Sequence, residues 1–175
     1  GKSRTSHRLC QTGTTLTVGE ADGRESERLV AFCDVCRNSG IDAQIVDDIE
    51  VVLWTKFIAF SAGGGVGTLS RQPFGVLLQV AELKALFTAA MAEVVSVARA
   101  KRVALPENVV EALLSSTENL PPAGKVSTLH DLENGKRLEL EAGVGSVVSQ
   151  GDELGVDTPI CRTIYAALKP FIDGR

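Results

Sequence analysis

The stretch that decides the fold is DDIEVVLWTKFIAFSAGGGVGTLSR, residues 47–71. Its first half carries apolar residues at helical spacing, which predicts a helix with one face turned to the core. A single charge, Lys56, falls on that face. The predicted apolar stripe consists of Ile49, Val52, Leu53 and Phe60.

The second half of the stretch is rich in glycine, with GGGVG at residues 63–67. It fits neither phosphate-binding pattern, because G-x-G-x-x-G would need glycine at Thr68 and no G-K-[ST] follows. We therefore expect a flexible or tightly packed break in the helix, since glycine lets backbones approach closely.

Two interpretations of Lys56 are open from the residues alone. The lysine can lay its methylenes along the apolar face and keep its ammonium in water. Alternatively it stands in a cleft, where a lysine can act as a general acid that protonates a developing alkoxide. Glu139 and Glu141, in LELE, point in different directions from a helix, so either both are surface charges or one faces a cleft while the other is solvated.

The chain changes character near residue 47. Before it, TTLTVGE and IDAQIV alternate as strands, with a helical pattern between them that ends at Gly40. After it, every segment is helical, including one long helix over residues 75–102 and a last helix that starts at Thr158 and Pro159. The sequence predicts a mainly α fold: a strand-helix-strand piece in residues 1–46 and a helical bundle in residues 47–175.

Composition excludes several classes of protein. The net charge is −4 and the lysines and arginines are scattered, so binding to nucleic acid is not expected. The longest uncharged run, between Lys56 and Arg71, is too short to span a bilayer and no signal peptide pattern opens the chain, which predicts a cytoplasmic protein without a membrane segment.

The four cysteines are predicted to be free thiols: Cys10, Cys33, Cys36 and Cys161. Cys33 and Cys36 form a C-x-x-C motif, but they lie on a helical stripe and no second pair supplies further zinc ligands. We predict no metal site.

Several segments in the same order resemble the C-terminal domain of the ketopantoate reductase (2-dehydropantoate 2-reductase) family. They are DDIEVVLWTKF, the glycine-rich segment with LSRQPFG, and VSTLHDLENGKRLELEAGVGSVVSQGDELGVDTPICRTIYAALK. The resemblance implies a helical bundle like the C-terminal domain of 6-phosphogluconate dehydrogenase. It also implies that residues 1–46 are the last part of a Rossmann domain.

In that family NADPH reduces the ketone of a 2-oxo acid in pantothenate synthesis, and the lysine of the W-x-K motif protonates the carbonyl oxygen. The resemblance therefore implies that Lys56 is the proton donor. It implies further that Ser127 binds substrate and that Glu139 lies near the cofactor and the substrate.

This chain also departs from the family pattern. Phe60, Gly64 and Phe74 stand where the best-known members hold substrate-contacting asparagines, which leaves the identity of the 2-oxo acid open. No strand followed by G-x-G-x-x-G occurs, so we expect the 175 residues to be part of a reductase and not to bind NADPH well.

Two alternatives to this interpretation of the chain as part of a reductase remain. One is a non-catalytic helical module for dimerisation or partner binding, in which Lys56 only reaches toward water. The other is a different 2-hydroxy or 3-hydroxy acid dehydrogenase of similar two-domain plan. The expected partners are a 2-oxo acid, the protein's own N-terminal Rossmann domain and a second copy of the chain.

Overall fold

The fold was taken from a computed structural model, which describes residues 7–12 and 15–174. These residues form two compact units, one ending at Trp54 and the other beginning at Thr55. The division falls inside the second helix. The prediction that separates residues 1–46 from residues 47–175 places the domain boundary a few residues earlier.

The amino-terminal unit is a three-stranded sheet with one helix. Strand β1 pairs with β2 in antiparallel fashion, and β2 pairs with β3 in parallel. The helix α1 links the two parallel strands, since parallel neighbours need such a crossover connection. The elements are β1 His7–Thr12, β2 Thr15–Glu20, α1 Glu27–Asn38 and β3 Asp42–Ile45.

The predicted strand-helix-strand order is confirmed by β2, α1 and β3. The core of this unit lies between the helix and the sheet, and it contains Val18, Leu29, Cys33, Cys36 and Ala43. Strand β1 was not predicted, because its residues do not alternate between apolar and polar. Its place is set by pairing with β2, which a pattern within one strand does not reveal.

The described residues of the second unit form helices joined by loops, with no strand, so the predicted mainly α fold class is confirmed. Its elements, including the long helix that enters it from the first unit, are α2 Ile49–Ser70, α3 Phe74–Gln79, α4 Ala81–Ala100, α5 Val109–Glu118, α6 Ser127–Glu133, a π-helical turn Glu141–Gly145, α7 Ser146–Leu154, α8 Pro159–Leu168 and a short 3-10 turn Lys169–Phe171.

Helix α2 is continuous through its glycines, so the predicted helix break is wrong, although the backbone is closely packed there. A methyl group added at Gly65 would lie 2.9 Å from Val144 Cγ1 and 3.0 Å from Ile164 Cγ2. The glycines thus let other helices approach the α2 backbone. At its start, the Asp48 carboxylate accepts a hydrogen bond from the backbone N–H of Val51, at 3.1 Å.

Helix α2 is also long and apolar enough to cross a membrane by length and composition alone. The core helix of a soluble protein passes the same test, and several residues of α2 are fully buried within the protein.

The long helix expected over residues 75–102 is divided at Val80. This residue has extended backbone angles (φ −81°, ψ 114°), and it separates α3 from α4. The predicted core stripe holds in α4, where Phe87, Met91 and Val94 are buried, but Val80 itself is 39% exposed. Val80 is therefore not part of the core, in contrast to the prediction.

Helix α8 begins differently from the prediction. Pro159 occupies the first turn as expected, but the Thr158 side chain makes no capping hydrogen bond. Instead the Glu93 carboxylate, from α4, accepts hydrogen bonds from the backbone N–H groups of Ile160 and Cys161, both at 2.8 Å. A carboxylate is favourable there because a helix amino end carries partial positive charge.

Candidate functional site

Three residues follow one another at four-residue intervals along α2: Lys56, Phe60 and Gly64. Residues with this spacing lie on the same side of an α-helix, and each step advances about 6 Å. Lys56 is exposed, whereas Phe60 and Gly64 are half-buried. This side of α2 therefore runs from solvent into the protein.

The predicted burial stripe of α2 is partly wrong. Ile49 is buried, but Val52, Leu53 and Phe60 are only half-buried, and Lys56 is exposed. In the second unit the core face is displaced around the helix, and it consists of Ile58, Ser61, Ala62, Gly65 and Val66. Lys56 lies on a different side of α2 from these buried residues and therefore does not interrupt the core.

A small cavity lies where α2 meets α6 and the π turn. Its volume is about 10 Å³, which is room for about one water molecule. All of its lining residues belong to the helical unit. They are Phe60, Ser61, Gly64 and Gly65 from α2, Thr128 from α6, and Glu139, Leu140, Gly143 and Val144 from the segment that forms the π turn.

Glycines on both sides shape this cavity. A methyl group added at Gly64 would lie 3.3 Å from Thr128 Oγ1, and one added at Gly143 would lie 3.5 Å from Phe60 Cε1. The ring of Phe60 thus reaches across to the backbone of the π turn. Backbone rather than side chains forms much of the cavity wall.

The π turn brings Glu139 and Leu140 to the cavity. The backbone leaves helical geometry at Gly143 (φ −92°, ψ −115°). The N–H of Gly143 donates to the Glu139 carbonyl at 3.1 Å, and the N–H of Gly145 donates to the Leu140 carbonyl at 2.9 Å. The extra residue in this turn is typical of π-helical segments, which are frequent at functional sites.

A polar cluster fixes the outer side of the π turn. Tyr165 donates its hydroxyl hydrogen to Glu141 Oε1 at 2.9 Å, and Lys169 donates to Glu141 and, at 2.7 Å, to the Tyr165 oxygen. The hydrogen bond from Lys169, followed by that from Tyr165, lowers the pKa of the Glu141 carboxyl. Glu141 is therefore ionised and held against α8, while Glu139 is left at the cavity.

The structure brings together some predicted site residues and not others. Glu139, Phe60 and Gly64 share the cavity, and Lys56 lies one helical turn before Phe60. Ser127 is the exposed first residue of α6 and is not among the lining residues, although its neighbour Thr128 is. Phe74 lies in α3, outside the cavity lining.

The sequence reasoning missed two polar lining residues, Ser61 and Thr128. Ser61 is 1% exposed, and its hydroxyl is one of three buried side-chain hydroxyls that lack a protein hydrogen-bond partner within residues 15–174, whose side chains the structure describes. A buried hydroxyl without a partner is uncommon and indicates a place for a ligand or water atom. Only its position next to Phe60 could have pointed to Ser61.

The amino-terminal unit carries a second polar group of residues, around Glu20. This carboxylate is 3% exposed and accepts hydrogen bonds from Arg28 Nε at 2.7 Å and from the Ser26 hydroxyl at 2.6 Å. The hydrogen bonds from Arg28 and then Ser26 lower the pKa of Glu20 to about 2. Its oxygens are thus already occupied, which is typical of a structural ion pair.

Three cysteines lie in the part of the chain whose side chains the structure describes. Cys33, Cys36 and Cys161 are free and buried, as predicted, and the side chain of Cys10 lies outside the described part. Burial raises the pKa of both Cys33 and Cys161, which makes these thiols unreactive. Within the described residues, no group of three or more His, Cys, Asp or Glu side chains could hold a metal ion.

Comparison with known proteins identifies the family. Residues 48–171 match the family described as ketopantoate reductase PanE/ApbA C terminal. This match covers most of the chain, from the start of α2 to the 3-10 turn. The chain belongs to this family.

Individual relatives agree with the ketopantoate reductase assignment. The 2-dehydropantoate 2-reductase of Archaeoglobus fulgidus is 30% identical over 157 residues, which are 90% of this chain and 52% of that protein. The chain thus spans about half the length of the curated relatives it matches.

Solved structures show the same fold. The 2-dehydropantoate 2-reductase from Methylococcus capsulatus superposes with a TM-score of 0.80 at 30% identity, over 91% of this chain and 51% of that one. A dimeric ketopantoate reductase from Staphylococcus aureus gives a TM-score of 0.81 at 22% identity, over 91% of this chain and 54% of that one.

Proposed function

We propose that this chain is the substrate-side part of an NADPH-dependent reductase that converts a 2-oxo acid to a 2-hydroxy acid. The observation that carries the proposal is the line Lys56, Phe60 and Gly64 on α2, which leads into a cavity also lined by Glu139. Membership of the ketopantoate reductase family supports the reaction type. Residues 47–175 are proposed as the helical domain, and residues 1–46 as the end of a Rossmann domain.

Lys56 is proposed as the general acid. When the ketone is reduced, a hydrogen and two electrons form a new C–H bond at the carbonyl carbon, and the electron pair of the C=O π bond moves to the oxygen. The Lys56 ammonium then gives a proton to that oxygen, which completes the alcohol. Its exposed position on α2, one turn before the cavity-lining Phe60, supports this role.

NADPH supplies the hydride when it is bound, but the residues of this chain do not fit its phosphates. The amino end of α1 is already capped by Ser26, whose Oγ accepts from the Leu29 N–H at 3.4 Å. The Glu20 carboxylate hydrogen-bonds the same serine, and it would repel a phosphate. We therefore assign the phosphates to a nucleotide domain outside these 175 residues.

Glu139 and Ser127 are proposed to contact the ligands. The exposed Glu139 carboxylate can accept hydrogen bonds from hydroxyl or amide groups of the cofactor or substrate, and the Ser127 hydroxyl can bind the substrate. A second copy of the chain is proposed as a partner because the Staphylococcus aureus relative is a dimer. The cytoplasm is the proposed compartment.

The experiment joins the 175 residues to a nucleotide domain and follows NADPH oxidation with 2-oxo acids. Lys56→Ala is expected to lower kcat by about 10²- to 10⁴-fold, the usual contribution of a general acid. Lys84→Ala is the matched control, because Lys84 is a surface lysine of α4 that pairs with Glu118 and lies outside the cavity lining.

Near-normal turnover of Lys56→Ala would remove this lysine from the mechanism. The 175 residues alone are expected to be inactive and to bind NADPH very weakly. Micromolar affinity of the isolated chain for NADPH would contradict the assignment of the phosphates to another domain.

A further inference from the structure

Glu139 and Glu141 lie two residues apart and are held in different ways. The Glu139 carboxylate makes no hydrogen bond to residues 15–174, whose side chains the structure describes, whereas the Glu141 carboxylate is bound by α8 and the turn after it. We propose that Tyr165 and Lys169, acting through Glu141, are positioning residues that fix the backbone of Glu139 and so aim its carboxylate at the ligand. The inference rests on the proposed function and adds residues that do not line the cavity.

The backbone next to Glu139 is tied to the rest of the helical unit. The N–H of Leu138 donates to the carbonyl of Ile172 at 2.9 Å, and the carbonyl of Glu139 accepts from the N–H of Gly143 at 3.1 Å. Leu138 and Leu140 are buried on either side, while Glu139 itself is exposed. Because its carboxylate has no side-chain partner among the described residues, its direction depends on this backbone.

A closed group of hydrogen bonds holds the segment at Glu141. Tyr165 donates to Glu141 Oε1 at 2.9 Å, Lys169 donates to the same oxygen, and Lys169 also donates to the Tyr165 oxygen at 2.7 Å. The Lys169 ammonium lies 4.9 Å from the centre of the Tyr165 ring, which is a favourable cation–π distance. The two donors are four residues apart, so they reach Glu141 from one side of the same helical segment.

Both charged members of this group stay ionised. The hydrogen bonds from Lys169 and then Tyr165 lower the pKa of the Glu141 carboxyl. The hydrogen bonds to Glu141 and then Tyr165 raise the pKa of the Lys169 ammonium. The contact between the π turn and α8 is therefore intact at neutral pH.

Tyr165 lies against both ends of the π turn. Its hydroxyl binds Glu141, the first residue of the turn, and its ring lies beside Gly145, the last. A methyl group added at Gly145 would lie 2.9 Å from Tyr165 Cε2. If the turn relaxed to a regular α-helix by losing its extra residue, Glu139 would rotate about 100° around the axis relative to α7, since an α-helix has 3.6 residues per turn. The contacts of Tyr165 oppose this change.

The effects of Glu141 on stability and on activity should separate. Glu141 and Lys169 are both about half exposed, and exposed ion pairs contribute little to stability. In contrast, a displacement of a ligand-contacting group by about 1 Å can lower the rate by about 10²-fold, even when the mutated residue is remote from the chemistry.

The test uses the complete reductase, with its nucleotide domain, and measures kcat and KM for 2-dehydropantoate with NADPH. Glu141→Ala is expected to lower kcat/KM about 10- to 100-fold with a nearly unchanged thermal midpoint. Glu141→Gln keeps an oxygen that accepts from Tyr165, so it should restore part of the lost activity. Asp152→Asn is the matched control, because Asp152 forms an equally exposed ion pair with Arg162 of α8 and lies outside the cavity lining.

A double-mutant cycle with Glu139→Gln decides whether Glu141 acts through Glu139. We expect Glu139→Gln to lower kcat/KM, and we expect Glu141→Ala to cause little further loss in the Glu139→Gln background, because residues that act as one unit are not additive. Tyr165→Phe, which removes only the hydroxyl, serves in the same cycle if the alanine variant does not fold.

Three results would overturn the inference and leave the proposed reaction intact. They are an unchanged kcat/KM in the folded Glu141 or Tyr165 variant, a loss that multiplies in full with that of Glu139→Gln, and wild-type activity of Glu139→Gln. Failure of the wild-type enzyme to reduce 2-dehydropantoate or any other 2-oxo acid would instead overturn the proposed function, and this inference with it.

Discussion

Two glycine-rich segments line the same cavity, and their backbones behave differently. Residues 63–67 continue a regular α-helix, whereas Gly143 and Gly145 belong to a π turn in which the backbone leaves helical geometry. Composition therefore does not decide whether glycines interrupt a helix. The neighbouring elements that fill the space beside each glycine decide whether the helix continues.

In α2 the space beside Gly65 is filled by Val144 and Ile164 from other helices. Helical hydrogen bonds and tertiary packing then favour the same conformation, and they offset the low helix propensity of glycine. In the π turn the space beside Gly145 is filled by Glu141 and Tyr165. In the π turn, these contacts accompany a backbone with one more residue per turn than an α-helix.

The largest effect on stability is expected from Gly65→Ala. The new methyl group would lie 2.9 Å from Val144 and 3.0 Å from Ile164, both buried. Overpacking of this kind costs about 1–3 kcal/mol of the free energy of unfolding. Denaturant unfolding of the variant measures it, and an unchanged or increased stability would show that close packing is not the role of this glycine.

Gly145→Ala tests the other segment. Its methyl group would lie 2.9 Å from both Glu141 Oε2 and Tyr165 Cε2, and 3.0 Å from the Leu140 carbonyl oxygen. We expect a loss of about 1–2 kcal/mol, since the exposed Glu141 side chain can move but the backbone carbonyl cannot. Wild-type stability in the same unfolding experiment would mean that the π turn does not depend on this contact.

Gly63→Ala is the control for Gly65→Ala: it makes the same substitution in the same helix, but we expect the opposite effect on stability. The nearest atoms to its methyl group are 3.8 Å and 3.9 Å away, on Phe87 and Val126, which is ordinary contact. Helix propensity should then dominate and raise stability by about 0.5–1 kcal/mol. A loss equal to that of Gly65→Ala would break the comparison, because the two sites would no longer differ by their neighbours.

The smallest effect is expected from Glu141→Gln, because exposed ion pairs contribute little. Lys169 and Tyr165 lower the pKa of Glu141 in the folded protein. Its contribution is therefore present above the carboxyl's unfolded pKa and is lost as pH falls through the lower folded value.

The thermal midpoints of wild type and Glu141→Gln should thus differ at pH 7 and converge in acid. High salt should also reduce the difference. A difference that persists below the folded pKa would assign the effect to side-chain shape rather than to charge.

Much of the architecture was predictable because it is local. The strand-helix-strand order, the end of α1 near the left-handed Gly40 and the helical character after residue 47 all follow from short-range patterns. The continuity of α2 was not predictable, since it depends on which distant side chains pack against its glycines. The division of the long helix at Val80 was not predictable either. Strand β1 needed its partner strand for the same reason.

The candidate site, too, has features that the sequence predicts and features that it does not. The four-residue spacing of Lys56, Phe60 and Gly64 can be read directly from the sequence. The participation of Ser61 and Thr128 cannot, because the cavity exists only where α2 meets residues 128–144. The roles of Lys56, Ser127 and Glu139 stay predictions that the enzyme assays described above would test.

The Glu93 carboxylate at the start of α8 has a consequence for the order of folding. It binds N–H groups 67 and 68 residues further along the chain, and no side chain of the local sequence takes its place. The first turn of α8 therefore gains this hydrogen-bond partner only after a long loop has closed, and loop closure of this length is entropically costly. We expect α8 to form late, after α4.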